Sequence, residues 1–157
     1  MIASMTANLI QPFTTQASLI KGAGCMILSK NTGTFLFGQR SMPDRFAGQW
    51  CTFGGTTEPN EDALTTAVRE IGEEAGIDLG NYITDPNPLY IDKTPKVIFT
   101  TFLTIVDSEI NVTLNNEHSD YGWFDIKSFP TPMHPGINRM LSDPNTLRRL
   151  LSALSNR

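Results

Sequence analysis

Residues 55–77, GTTEPNEDALTTAVREIGEEAGI, decide how this chain folds. From residue 60 to residue 75, apolar residues recur at the spacing of a helix that buries one face. Asn60 is a suitable N-cap for this helix, and Gly76 is a suitable stop. The stretch therefore predicts an amphipathic helix that packs on a sheet. Its apolar arc consists of Ala63, Leu64, Ala67, Val68, Ile71 and Ala75.

Glu70, Glu73 and Glu74 lie at one edge of that arc, within about one third of the helix circumference. Because carboxylates three and four residues apart repel one another, we expect a compensating cation. A solvated acidic face is the ordinary explanation, but the flanking residues favour a cation site. Arg69 stands one turn before Glu73 and can pair with it, and Gly54-Gly55 lets a backbone carbonyl face an ion. Oxygen ligands without His or Cys favour Mg²⁺ over zinc.

The same stretch resembles the signature of the Nudix hydrolase family. That signature, the Nudix box, is Gly, five residues, Glu, seven residues, then Arg-Glu-U-x-Glu-Glu-x-Gly-U, where U is a large aliphatic residue. A chance match of the seven fixed residues is expected on the order of once in 10⁸ random windows. The wider similarity covers about residues 20 to 125. Every position of the box is satisfied, by Gly55, Glu61, Arg69, Glu70, Ile71, Glu73, Glu74, Gly76 and Ile77.

The resemblance implies an α/β (α+β) fold, an α/β/α sandwich with a mixed β-sheet between helices. It also implies that Glu70, Glu73 and Glu74 bind one or more Mg²⁺ or Mn²⁺ ions, and that the carbonyl of Gly55 joins them. The segment NNEHSDYGWF resembles a family loop in which a glutamate reaches the metal site. Glu117 is therefore expected to bind metal or to act as the general base, with an exposed loop acid as the alternative.

The remaining box residues have supporting roles in the family. The resemblance implies that Arg69 orients a box glutamate and that Glu61 and Gly76 are structural. Glu61 could also simply stabilise the helix N-terminus through the helix dipole. The implied reaction is attack of a metal-activated water on phosphorus. Its proton acceptor is left open among Glu70, Glu73 and Glu117.

Four residues before the box are candidates for substrate binding. Arg40 and Arg45 could reach a phosphate, and Trp50 or Phe53 could stack on a base, although an aromatic residue there is more often part of the core. Many family members have proline where this chain has Phe53, which affects the subfamily and not the metal site.

Strands and a second helix are predicted around the box, in a single domain of residues 1–157. Residues 1–18 form an N-terminal arm or leading strand, and residues 142–155 a C-terminal helix capped by Ser142 or Asp143. A loop containing His118 follows residue 106, and residues 129–136 are irregular. The predicted strands are a hairpin of residues 19–30 and 34–39, a short stretch at 50–53, a pair at 90–92 and 96–106, and a short strand at 121–124.

Composition limits the function further. The chain is 39% hydrophobic, with a formal charge of -4 and no basic stripe, which argues against a partner of duplex nucleic acid. Cys25 and Cys51 stand in apolar surroundings and are expected to be reduced. The N-terminus does not resemble a signal peptide, no segment is long enough to cross a membrane, and we expect a cytoplasmic protein. The family resemblance also implies a homodimer as one assembly.

The expected substrate is a small-molecule nucleotide. A nucleoside triphosphate, cleaved to monophosphate and pyrophosphate, is the leading prediction. ADP-ribose, another nucleotide sugar or a dinucleotide is the alternative. A non-catalytic nucleotide-binding module is the third interpretation, and it is disfavoured because all box glutamates are present.

Overall fold

The computed structural model describes residues 17–157, so most of the predicted N-terminal arm lies outside the described residues. The described chain forms one mixed sheet and three α-helices. The strands are β1 (Ile20–Ser29), β2 (Thr34–Arg40), β3 (Trp50–Cys51), β4 (Phe53–Thr56), β5 (Ile83–Thr84), β6 (Tyr90–Lys93), β7 (Val97–Val106) and β8 (His118–Asp125). The helices are α1 (Ala63–Ala75), α2 (Pro135–Ser142) and α3 (Pro144–Ser155).

Strand β1 is the centre of the sheet and pairs in parallel with β7 along its whole length. On its other side it pairs with β2 only where Leu28 faces Phe35, close to the turn of the predicted hairpin. Farther from the turn, residues 50–56 enter between the two strands, with β3 on β2 and β4 on β1. The hairpin is confirmed, but it opens and admits the segment that leads into α1.

The other strands complete the two edges of the sheet. The predicted pair of residues 90–92 and 96–106 is confirmed as antiparallel β6 and β7, and β5 also pairs with β7. Strand β8 pairs with β2 and is longer than the predicted strand of residues 121–124.

Helices cover both faces of the sheet, which confirms the predicted sandwich. Along β1, Cys25 and Ile27 face α1, whereas Met26 and Leu28 face α2 and α3. Of these, the isoleucine, methionine and leucine side chains contribute roughly 1.5–3 kcal/mol each when fully buried. Both cysteines are buried and free, as predicted. None of the helices within residues 17–157 is long and apolar enough to cross a membrane.

Strands β1 and β4 meet at two glycines. Gly24 lies opposite Gly54 in the antiparallel pairing. A Cβ on Gly24 would collide with the carbonyl oxygen of Phe53, and a Cβ on Gly54 would collide with that of Ala23. A larger residue at either position would push β4 away from β1, so this glycine pair holds the start of the box against the sheet.

Helix α1 begins at Ala63, later than predicted, and its N-cap is Asp62 instead of Asn60. The Asp62 carboxylate accepts a hydrogen bond of 2.7 Å from the N–H of Thr65. Asn60 instead adopts a φ of 69° in the preceding turn, which leaves Glu61 free to fold back over the start of the helix.

The predicted end of α1 is confirmed. Gly76 has a φ of 67°, a left-handed conformation that a residue with a Cβ rarely adopts, and its N–H donates to the carbonyl of Gly72. The helix therefore stops directly after the last box glutamate.

The C-terminal region contains one more helix than predicted. Helix α2 begins at Pro135, inside the stretch expected to be irregular, because proline suits a first helical turn and the His134 side chain accepts from the N–H of Gly136. Asp143 caps α3 through a 2.8 Å bond from the N–H of Thr146, whereas Ser142, the other predicted cap, ends α2.

Candidate active site

Four carboxylates, the glutamate cluster of Glu70, Glu73, Glu74 and Glu117, come together where α1 approaches β4. Glu74 is 2% exposed, and one of its oxygens accepts a 2.9 Å hydrogen bond from the N–H of Gly54. Burial, followed by the charges of Glu117 and Glu70, raises the pKa of Glu74 to about 8, although the Gly54 bond opposes this rise. A carboxyl group with a pKa raised to this extent carries a proton at neutral pH unless a cation takes the place of the proton.

Glu70 is the second inward-facing member of the cluster. A Cβ on Gly55 would collide with the Glu70 carboxylate, so this carboxylate occupies the space that the glycine leaves. Burial raises the pKa of Glu70, with further contributions from Glu73 and Glu117 that the neighbouring Arg69 opposes. Glycine at position 55 is therefore needed for this placement of Glu70.

Arg69 connects the start of the box to the glutamate cluster. Its guanidinium donates to both carboxylate oxygens of Glu61, at 2.7 and 3.0 Å, and to Glu70 at 2.8 Å. The expected pairing with Glu73 is longer, at 3.4 Å. Arg69 lowers the pKa of Glu61 to about 2, which keeps that carboxylate charged. Arg69 thus contacts Glu61 and Glu70 more closely than Glu73, and its orienting role stays a prediction.

Glu117 reaches the cluster from the loop before β8. Its N–H donates to the side chain of Asn115 at 3.0 Å, and its carbonyl accepts from the N–H of Ser41 at 2.9 Å. His118, predicted as a loop residue, is instead the first residue of β8 and is 5% exposed beside Phe53. This buried anchor fixes the backbone at Glu117, whose side chain stays exposed.

The residues of the cluster fit a hard divalent cation by their chemistry. They offer carboxylate oxygens alone, and burial of Glu74 and partial burial of Glu70 make the two negative charges unfavourable without a counterion. Within residues 17–157, no three His, Cys, Asp or Glu side chains are already arranged as around a bound metal ion. Arg69 and Gly54 hold Glu70 and Glu74 instead. The carbonyl of Gly55 lies toward Gly22, and its predicted role as a ligand stays a prediction.

A pocket of about 470 Å³ lies beside the cluster, on the sheet face that carries α2. Gly54 lines this pocket and also donates to Glu74, so it connects the two. None of the four glutamates is among the described residues that line the pocket. The pocket is more basic than the whole protein, since its charged lining residues are Arg40, Arg45, Lys96, Arg139 and Asp92.

Arg40 and Arg45, both predicted to bind substrate, line this pocket. Arg40 donates to both oxygens of Asp44, and Arg45 lies over the ring of Phe46, 4.8 Å from its centre. The Arg40–Asp44 pair ties the loop after β2 to the pocket wall.

The two predicted stacking residues do not line this pocket, and their role in binding a base stays a prediction. Phe53 is 1% exposed and packs in the core on the α1 face. Trp50 packs edge-to-face on Phe124, with ring centres 5.2 Å apart, and does not line the pocket. Adjacent strand residues face opposite sides of the sheet, which places Phe53 away from its pocket-lining neighbours Thr52 and Gly54.

Sequence reasoning missed several residues that line the pocket. Phe46 and His134 form one wall, with ring centres 4.3 Å apart. Tyr90 and Asp92 project into the pocket from β6, and Arg139 of α2 donates to Asp92. Tyr90 and Asp92 are two residues apart on a predicted strand, which indicated that their side chains lie on the same face of the sheet. Nothing in the sequence indicated that α2 packs beside that face.

Comparisons with known proteins agree with this geometry. A family model described as NUDIX domain matches residues 19–143. The bis(5'-nucleosyl)-tetraphosphatase [asymmetrical] of Sus scrofa is 35% identical over 80 residues, which cover 47% of this chain and 54%, about half, of the relative. The nucleoside triphosphatase NudI of Escherichia coli is 33% identical over 110 residues, which cover 61% of this chain and 76% of that protein.

Solved structures share the fold. The Nudix hydrolase RenU of M. smegmatis superposes with a TM-score of 0.68 at 18% identity, over 87% of this chain and 86% of that protein. The C. elegans Ap4A hydrolase, in a binary complex, gives a TM-score of 0.62 at 22% identity, over 88% of this chain and 96% of that protein. The predicted enzyme class, a hydrolase of acid anhydrides, is the class of the family that these matches identify. With a complete box and a domain match across most of its length, the chain belongs to the Nudix (MutT-like) hydrolase family.

Proposed function

We propose that the protein is a Mg²⁺-dependent pyrophosphohydrolase that cleaves a nucleoside triphosphate to the monophosphate and pyrophosphate. The observation that carries the proposal is the hydrogen bond between Gly54 and Glu74, because Gly54 also lines the basic pocket and Glu74 belongs to the glutamate cluster. A phosphate chain that leaves this pocket at Gly54 would come directly to the carboxylates. The name of the NudI relative supports this substrate class.

The chain's own residues divide the chemical work. Arg69 holds Glu70 in position, and the N–H of Gly54 holds Glu74. In these positions the two carboxylates can serve as ligands for a cation. A bound Mg²⁺ or Mn²⁺ supplies charge neutralisation of the phosphates and activation of a water molecule. Glu73 and Glu117 are exposed, so either can take a proton from the attacking water at a carboxylate oxygen. We therefore narrow the choice of general base to these two residues.

A dinucleoside polyphosphate is the second candidate substrate. The match to the Sus scrofa tetraphosphatase favours it, although that match covers 47% of this chain. The pocket opens beside a cluster that is partly exposed, so a second nucleoside would extend into solvent. We place either reaction in the cytoplasm, where free cysteines such as Cys25 and Cys51 stay reduced.

The test is a substrate panel with Mg²⁺ and with Mn²⁺. It contains ribo- and deoxyribonucleoside triphosphates, ADP-ribose, other nucleotide sugars and a dinucleoside tetraphosphate. Glu74→Gln provides the background, and Glu109→Gln, an exposed glutamate bonded only to Thr32 and Thr34 among the described residues, is the matched control. We expect turnover of triphosphates by the wild type and Glu109→Gln and not by Glu74→Gln. If no member of the panel is hydrolysed above the Glu74→Gln background, the proposal fails.

A further inference from the structure

The pocket has two chemically different ends. At one end Gly54 meets the glutamate cluster. At the other end Tyr90 and Asp92 project from β6. Arg139 pairs with Asp92, so the charge of this carboxylate is compensated and the two side chains present polar hydrogen-bonding groups that suit a neutral polar ligand group.

Sheet pairing gives the distance between the two ends. Gly54 pairs with Gly24 of β1, Gly24 with Thr101 of β7, and Thr101 with Tyr90 of β6. Neighbouring strands lie about 4.8 Å apart, so Gly54 and Tyr90 are separated by about 14 Å across three strand spacings. Asp92 belongs to the adjacent row of the same sheet face. This span accommodates a nucleoside whose phosphate lies at the Gly54 end.

Asp92 and Arg139 form a planar pair at the far end. The Nε and Nη2 atoms of Arg139 donate to the two oxygens of Asp92, at 2.8 and 2.6 Å. The Asp92 side chain is 14% exposed and the Arg139 side chain is 48% exposed, so the pair is partly accessible from solvent through Arg139. A carboxylate retains lone pairs after two such bonds, and the guanidinium retains unused N–H groups. The pair thus offers acceptors and donors side by side, which is the pattern that reads the edge of a nucleobase.

Resting on the proposed function, we infer that this pair, the Asp92–Arg139 fork, determines which nucleobase the enzyme prefers. The base lies at the Tyr90 end of the pocket with its hydrogen-bonding edge toward the fork. The phosphate chain runs past Gly54 to the glutamate cluster. The fork also joins β6 to α2, so the test must separate reading a base from holding a helix in place.

A second Arg–Asp pair in the same chain provides the control. Arg149 of α3 donates to Asp85 at 3.0 Å, outside the pocket. Asp85→Asn therefore removes an ion pair between a C-terminal helix and the strand region without touching the pocket. Asp92→Asn and Arg139→Lys change the fork, and Arg139→Lys keeps the charge while it loses the planar donor geometry.

The experiment measures kcat/KM of the full chain for ATP, GTP, CTP and UTP with Mg²⁺, together with Ki for the four free nucleosides. We expect the wild type to rank the bases, and Asp92→Asn and Arg139→Lys to change the ratio between the best and the poorest nucleotide by about tenfold, mainly through KM. Asp85→Asn should keep the wild-type ratio. Thermal unfolding checks that each variant is folded. If Asp92→Asn does not fold, the result for Arg139→Lys decides the test.

Three results would overturn the inference: a wild type indifferent to the base, folded fork variants with an unchanged ratio, or an equal change in Asp85→Asn. If the wild type hydrolyses no nucleotide, the proposed function fails on its own. Calorimetric titration of the protein with free nucleosides then tests the fork separately. Tighter binding to the wild type than to the fork variants supports the inference, and equal or absent binding refutes it.

Discussion

Glu74→Gln should separate the stability of the protein from its activity. In the absence of a cation, burial raises the pKa of Glu74 from 4.5 to about 8, so the group is protonated and neutral at pH 7. Glutamine has the same shape and is neutral at every pH, and its oxygen can still accept from Gly54. The substitution therefore removes a group that is costly to ionise and costs little in packing.

The magnitude follows from linkage between protonation and folding. Between pH 4.5 and about 8 the folded state binds one proton more than the unfolded state, so the free energy of unfolding of the wild type falls as the pH rises. One pKa unit corresponds to about 1.36 kcal/mol, which gives roughly 3 kcal/mol between pH 4.5 and pH 7. Glu74→Gln escapes this loss, so its midpoint at pH 7 should exceed that of the wild type by roughly 6 to 12 °C.

The assay is thermal unfolding in EDTA at pH 4.5 and pH 7, repeated with Mn²⁺. The melting temperatures of the wild type and Glu74→Gln should differ little at pH 4.5 and diverge at pH 7. Of these two proteins, Mn²⁺ should stabilise only the wild type. Glu109→Gln should follow the wild type throughout. A constant difference between Glu74→Gln and the wild type at both pH values would refute the assigned burial effect, and hydrolysis within tenfold of the wild-type rate would refute the ligand role.

Three further predictions concern the box. Arg69→Gln leaves Glu61 and Glu70 without their shared guanidinium, and kcat/KM should fall by roughly 10- to 100-fold while the circular dichroism spectrum stays unchanged. Gly55→Ala places a methyl group on the Glu70 carboxylate, so the Mn²⁺ affinity measured by electron paramagnetic resonance should drop at least about tenfold; unchanged affinity would contradict the role of this contact. Asp62→Ala removes the N-cap of α1, and should lower the melting temperature by about 2 to 4 °C and leave KM unchanged.

The metal end of the site could be predicted because its information is local. Glu70, Glu73 and Glu74 share one helix, and helical geometry alone brings their side chains to one edge. The stop at Gly76 was predictable for the same reason. The start of α1 was less certain because both Asn60 and Asp62 are suitable caps, and only the turn that returns Glu61 to Arg69 decides between them.

The substrate end could not be predicted because its residues come from distant elements. Asp92 and Arg139 are far apart in the chain, and their contact depends on the packing of α2 against β6. Stacking and core packing were both open for Phe53, because its sequence neighbours do not reveal which face of the sheet it occupies. A shift of one residue along a strand exchanges the two faces, so proximity to the box was a poor guide.

The opening of the β1–β2 hairpin has a consequence for folding kinetics. The segment of residues 50–56 can pair fully only after both flanking strands have formed, and β1 must also find β7, with Ile20 opposite Val97. Contacts between residues so distant in sequence close large loops and form slowly. We therefore expect the local contacts of helix α1 to form earlier in folding than the contact between Gly54 and Glu74. The catalytic centre should be among the last parts of the molecule to mature, and recovery of activity should lag behind recovery of helical signal during refolding.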